Sequence, residues 1–204
     1  MKLKKTVMLK AKLIFANLKE KRPNYDGTKE RYGVVVKVPK NTKEHKALQT
    51  AFMDFVKEGG FDKKKVDELK DWFIYDGDTH KYWSQEGRNE NSIVLNPKTD
   101  YRPKTYKKNS LGNAWIETED YDLFTQGSDV FVAISFLNGE RKLKSGVKQS
   151  YQAFYLNEVY LEEAAELNSS VSEELTKDVT GLSKEVKTSE VSSTAEEPSA
   201  GVPF

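Results

Sequence analysis

Apolar residues recur at every second position, then at every third and fourth, then at every second again, and these changes of period lay out the elements of the chain. Within Thr6 to Leu18, TVMLKAKLIFANL, Val7, Leu9, Ala11 and Leu13 alternate with Lys10 and Lys12, which predicts a first strand with both lysines on its other face. Lys19 to Lys29, KEKRPNYDGTK, carries Pro, Asn, Asp-Gly and four cations and reads as a turn or hairpin loop. Arg31 to Pro39, RYGVVVKVP, is rich in β-branched residues and should be the partner strand. From Asn41 to Glu58 the period changes: Leu48, Ala51, Phe52, Phe55 and Val56 mark one face of a helix that Asn41 or Thr42 can cap and Gly59-Gly60 stops. Phe52 and Phe55 fall on the packed face. Asp62 to Asp71 predicts a second, shorter helix with Val66 and Leu69 turned inward.

Period two returns beyond residue 92. Ile93-Val94-Leu95 should be a short core strand, and Trp115 to Asp122 an acidic edge. Asp129 to Asn138, DVFVAISFLN, is apolar on both faces, as a central strand would be. Asn138-Gly139 is a hairpin signal. After a basic loop, Arg141 to Lys148, Tyr151 to Leu161 reads as the last strand.

Composition narrows the chemistry. The chain has no cysteine and only two histidines, His45 and His80, so disulfides, thiolate metal sites and most histidine acid–base catalysis lack material. No apolar run approaches the roughly 18–20 residues that would span a bilayer, and the start MKLKKTVMLKAKL is too charged for a signal peptide, so a cytoplasmic protein is expected. Charge is unevenly placed. Residues 162–204 hold three Lys against ten Asp or Glu, net −7, leaving residues 1–161 with 30 Lys and Arg against 22 Asp and Glu, net +8. A basic body with an acidic tail is a recurrent arrangement among nucleic-acid binders.

One stretch concentrates rings and cations along backbone expected to be extended: Ile93 to Lys108, IVLNPKTDYRPKTYKK, where Tyr101, Arg102, Lys104, Tyr106, Lys107 and Lys108 fall close together. Bases stack on aromatic rings and phosphates need positive neighbours, so the pattern suits a single nucleic-acid strand. Taken alone it fits a solvated, lysine-guarded edge strand better, and only the rest of the chain changes that balance. His80-Lys81-Tyr82-Trp83 is a second basic and aromatic run, standing just after Asp76-Gly77-Asp78. Asp-Gly-Asp reads as a turn; no third or fourth carboxylate is spaced to complete a cation cage. From Glu162 onward the composition cannot bury enough apolar surface to order itself, so a disordered acidic tail is expected. It finishes in Gly201-Val202-Pro203-Phe204, a ring beside a stiff proline that could dock in an apolar pocket.

The order and character of VMLKAKLIFANL, RYGVVVKVPKNTKEHKALQTAF, the Asp76-Gly77-Asp78 turn, IVLNPKTDYRPKTY and DVFVAISFLNGERKLKSGVKQSYQAFYLNEVYL resemble the phage single-stranded DNA-binding proteins of the podovirus type. The end resembles the partner-recruiting tip of bacterial single-stranded DNA-binding proteins, without the aspartate run usual before it. The resemblance implies a mainly β OB-fold barrel with an inserted helix over residues 1–161, followed by the disordered acidic tail over 162–204. It implies a non-enzymatic, cofactor-free protein that binds single-stranded DNA without sequence preference in phage replication or recombination. On that reading Tyr101, Tyr106, Tyr82 and Trp83, with Tyr151 and Tyr155, are the expected stacking residues. Lys10, Lys12, Arg102, Lys104, Lys107 and Lys148 are the expected phosphate contacts, and Pro203 and Phe204 would dock on replication or recombination proteins. A homodimer is left open. Two other classes compete: a metal-dependent nuclease using Asp71, Asp76 and Asp78, and a structural or interaction β-protein whose lysines only keep it soluble.

Overall fold

The structure is a computed structural model that describes residues 3–23, 27, 29–143 and 145–165. Nine strands and two α-helices follow one another as β1 (Leu3–Pro23), β2 (Glu30–Pro39), α1 (Lys43–Gly59), α2 (Lys63–Phe73), β3 (Tyr75–Asp76), β4 (Ser92–Leu95), β5 (Lys98–Thr99), β6 (Lys104–Lys108), β7 (Trp115–Glu117), β8 (Asp129–Lys142) and β9 (Lys148–Glu163). β1 pairs antiparallel with β2 on one side and β8 on the other, β8 pairs antiparallel with β9, and β5 bridges β9 and β2. The ring β2–β1–β8–β9–β5–β2 is therefore closed. Five strands joined in this order, with the third running parallel to the fifth, make the OB-fold barrel. Strands β6 and β7 extend the sheet outward from β9, and β3 and β4 extend it from β2.

Alternation along the strands fills the barrel. Leu9, Ala11 and Leu13 of β1, Val34, Val36 and Val38 of β2, and Val130, Val132, Ile134 and Phe136 of β8 all turn inward and are buried. From β9 come Phe154, Leu156, Val159 and Leu161, with the step from 154–156 to 159–161 absorbed by a bulge opposite Ala133 and Ile134. The helices close one end. Thr42 caps α1 by accepting from the His45 backbone N–H, and Asp62 caps α2 by accepting from that of Lys65. Phe52 and Phe55 of α1 and Phe73 of α2 then pack around Phe136, with ring centroids 5.5, 5.7 and 6.0 Å away, while Phe154 stacks on it at 5.0 Å. Burying one such side chain contributes roughly 1.5–3 kcal/mol.

Four expectations need correction. Lys19 to Pro23 is strand, not loop, because β1 runs on with β2 beyond the barrel, where Arg22 faces Arg31 across the register. All five residues are exposed, so no alternation of burial marked them as strand. The reversal expected at Asn138-Gly139 comes instead between Leu143 and Val147. Gly139 stays in the ladder opposite Tyr151, and an added Cβ would stand 2.9 Å from that ring. Ile93 to Lys108 is not one extended track but three separate strands, β4, β5 and β6, with different neighbours. The last strand reaches Glu163, two residues past the expected end of the body. The tail from Glu166, with Pro203 and Phe204, lies outside the described residues. Among the described residues no helix is long and apolar enough to cross a membrane.

Candidate nucleic-acid interface

A groove of about 1080 Å³ crosses β2, β5 and β9 on the outside of the barrel. Because Phe154 and Leu156 turn into the core, Tyr151, Ala153 and Tyr155 of β9 turn out and form one wall, with Tyr155 opposite Lys98 of β5. Arg31 of β2, Lys29 just before it and Arg141 near the end of β8 add three more cations, and Trp72 of α2, 52% exposed, adds a ring. Against four cations the groove holds a single lining carboxylate, Asp100. Lys29 Nζ lies 2.7 Å from Asp100 Oδ2 and Arg31 Nε 3.0 Å from Oδ1. Burial pushes the Asp100 carboxyl up, and Lys29 and Arg31 more than offset this, holding it below the ordinary carboxylate range. Burial also raises Tyr155, so its phenol stays neutral through the physiological range.

This is the face that OB barrels use for oligonucleotides: the second and third strands, flanked by the connections between strands one and two and between strands four and five. Here Arg31 and Lys98 stand on those two strands, Lys29 in the first connection, and Arg141 near the end of β8 where it leads into the second. Of the residues singled out from the sequence, Tyr151 and Tyr155 line it. Tyr101 follows β5 directly, beside Asp100, and is 83% exposed. Lys148 opens β9 opposite Lys142, one position from the pairing of Gln149 with Arg141.

Arg102 is occupied elsewhere. Its guanidinium lies 5.6 Å from the ring centroids of both Tyr32 and Tyr121 and donates to the Lys19 carbonyl at 3.0 Å, clipping the base of the β1–β2 arm. The same arm places Lys21 over Tyr32 at 5.7 Å and Arg22 over Phe15 at 5.0 Å. The interleaving of rings and cations sought at 101–108 thus recurs on residues 15–32, which the sequence reading assigned to plain strand and turn.

A second group shares the outer face of β1, β8, β9 and β6. Register places Lys10, Phe131, Tyr160 and Tyr106 in one row across four strands. Tyr106 stacks on Tyr160 at 4.5 Å, Trp115 meets Tyr160 edge-on at 5.4 Å, and Lys10 stands 5.7 Å from the Phe131 centroid. A hydrogen bond to Glu158, with burial adding to it, pushes the Tyr160 phenol up to about 12. Two lysines here have carboxylates beside them: Lys104 with Glu117 at 3.4 Å and Lys108 with Glu162 at 2.9 Å. Lys107 is on the reverse side of β6 from Tyr106 by the strand's alternation.

The third group, Lys12, Tyr82 and Trp83, lines a separate pocket of about 300 Å³ with Lys37 and Arg88. Asp76 and Asp78 do form a turn. Both carboxylates close on Lys40, whose Nζ donates to Asp76 Oδ1 and Oδ2 at 2.7 and 2.8 Å and to Asp78 Oδ2 at 2.6 Å. These bonds hold both carboxyls below their ordinary values and Lys40 above its own. The pair is thus turned onto an ammonium group of the chain itself. Among the described residues no group of three or more His, Asp or Glu side chains could hold a metal ion.

Arg31, Lys29, Lys98, Arg141 and Trp72 were not singled out from the sequence. Lys29 and Arg141 fell in stretches read as rich in cations; Arg31, Lys98 and Trp72 are spread over three elements, and nothing local distinguishes them from solvated cations or a helix flank.

No protein-family model matches this chain, and no curated protein matches it in sequence. Among solved structures it is similar to the single-stranded DNA-binding protein from bacteriophage Enc34 in complex with ssDNA, with a TM-score of 0.52 and 17% identity over 79% of this chain and 88% of that one. The C-terminal truncation of the Enc34 protein matches at a TM-score of 0.51 and 16% identity, over 79% and 87% of the two chains. At such identities the likeness is one of fold.

Proposed function

We propose that this protein binds single-stranded DNA without sequence preference, in the groove over β2, β5 and β9. The observation that carries the reading is the groove's lining: four cations to one carboxylate, with Tyr151, Tyr155 and Trp72 beside them, on the oligonucleotide-binding face of an OB barrel. Lys29, Arg31, Lys98 and Arg141 meet phosphates. The rings stack on bases, which is sequence-tolerant because every base has a π-face. Asp100 keeps Lys29 and Arg31 extended over the groove until a phosphate replaces it. The fold shared with the Enc34 protein, solved with ssDNA, supports the same ligand.

The role follows from the ligand: coating and organising unpaired DNA during phage replication or recombination, with no chemistry of its own. Residues 166–204 act as an acidic tail, and Pro203 and Phe204 dock on replication or recombination proteins. Deleting residues 202–204 should leave DNA affinity nearly intact and abolish partner recruitment in pull-downs; loss of DNA affinity instead would show that the tip belongs to the DNA site.

The function is tested by titrating fluorescent single-stranded, double-stranded and RNA oligomers with wild type and Trp72→Ala at two salt concentrations. Tighter binding of single-stranded DNA than of duplex, weakened by about 1–3 kcal/mol in the variant, is expected. No binding at low salt would return the chain to the class of structural β-proteins.

A further inference from the structure

We infer that the bound strand runs on from the groove along β2 to a second foothold, the pocket of Tyr82, Trp83, Lys12, Lys37 and Arg88, so that the interface is bipartite. The inference rests on the single-strand reading above. Arg31 and Lys37 share the outward side of β2, since Val34, Val36 and Val38 turn inward; Val35 is buried on that side between them, so the bound strand spans it without a contact there. Six residues of strand put them roughly 20 Å apart. Oligonucleotides long enough to bridge that gap would touch both sites; short ones would touch one.

Two features mark the pocket as built for an anion beside a ring. Lys12 of β1 stands directly opposite Lys37 of β2, and like charges so placed are destabilising. Asp129, 3.4 Å from Lys12, offsets part of this, and Lys37 donates to the Arg88 carbonyl at 2.7 Å. A phosphate would offset both lysines at once. Beside them Tyr82 is 63% exposed, its ring set edge-on to Trp83 at 4.8 Å.

The loop carrying that exposed tyrosine is held at several points. Gly77 has no room for a side chain, because a Cβ there would stand 2.2 Å from the Asn89 carbonyl oxygen. Asp78 Oδ1 accepts from the Asn91 backbone at 2.7 Å, Asn89 donates to the Trp83 carbonyl at 2.8 Å, and Lys40 grips the turn at its base. A ring presented on a preorganised loop binds without a further ordering cost.

Oligothymidylates from about 4 to about 16 nucleotides, the range one OB fold covers, test this with full-length wild type and Tyr82→Ala. Wild-type affinity should rise in a step once the strand reaches the second site. Tyr82→Ala should bind the long oligomers roughly tenfold more weakly and the shortest ones as wild type does. Equal loss at every length would merge the two sites into one and overturn the inference, and so would no loss at any length. Absence of wild-type binding at all lengths would instead overturn the function itself.

Discussion

Gly139 decides how one wall of the groove is shaped. The Tyr151 ring lies over it, and an added methyl would stand 2.9 Å from that ring. Since the obstacle is the far end of a side chain, Tyr151 can swing away at little cost to the fold. Gly139→Ala should therefore weaken binding of single-stranded DNA as much as Tyr151→Ala does, by about 1–3 kcal/mol, with a nearly unchanged melting temperature. The double variant should be no worse than either alone, as a double-mutant cycle would read. Lys40 acts in the opposite way, through stability. Asp76 and Asp78 titrate below their ordinary values, so their share of stability is present above about pH 3.9 and is lost as pH falls through the lowered values. Lys40 titrates above its own, so its share is complete below about pH 10.4 and is lost as pH rises through the raised value. Lys40→Met should lower the melting temperature at neutral pH, and thermal scans should show the gap from wild type narrowing in acid.

At the scale of elements, the helical cap and the longest hairpin carry the fold. Phe136 is fully buried with Phe52, Phe55, Phe73 and Phe154 around it, joining α1, α2, β8 and β9. Phe136→Ala should cost about 3–5 kcal/mol, measured as a lower urea midpoint with unchanged slope. Both helices were legible in the sequence because their apolar spacing is local, and for α1 the cap and stop signals agree with it. The β8–β9 hairpin was legible as two strands but not in its extent. Asn138-Gly139 has turn chemistry, yet the pairing continues to Lys142 opposite Lys148, with Gly139 held in the ladder opposite Tyr151. A local turn preference lost to a cross-strand contact twelve residues away in sequence.

For the molecule as a whole, the groove's charge should govern affinity. If Lys29, Arg31, Lys98 and Arg141 each neutralise one phosphate, log affinity for a single strand should fall with log salt at a slope of about −3, from roughly −0.7 per contact. Replacing Arg141 with Gln should flatten that slope by one contact, and an unchanged slope would remove Arg141 from the interface. The alternation of the strands, the capped helices, the basic excess over residues 1–161 and the supply of rings and cations were all written in the sequence, because each depends on neighbours a few positions apart. Which rings and cations meet was settled only by closure of the barrel. Tyr101, Tyr106 and Tyr82 went to three different surfaces, while Arg31, Lys98, Arg141, Tyr155 and Trp72 came from five elements to line one groove. Pairing between strands far apart in the chain places those side chains together, and no local pattern encodes such a meeting.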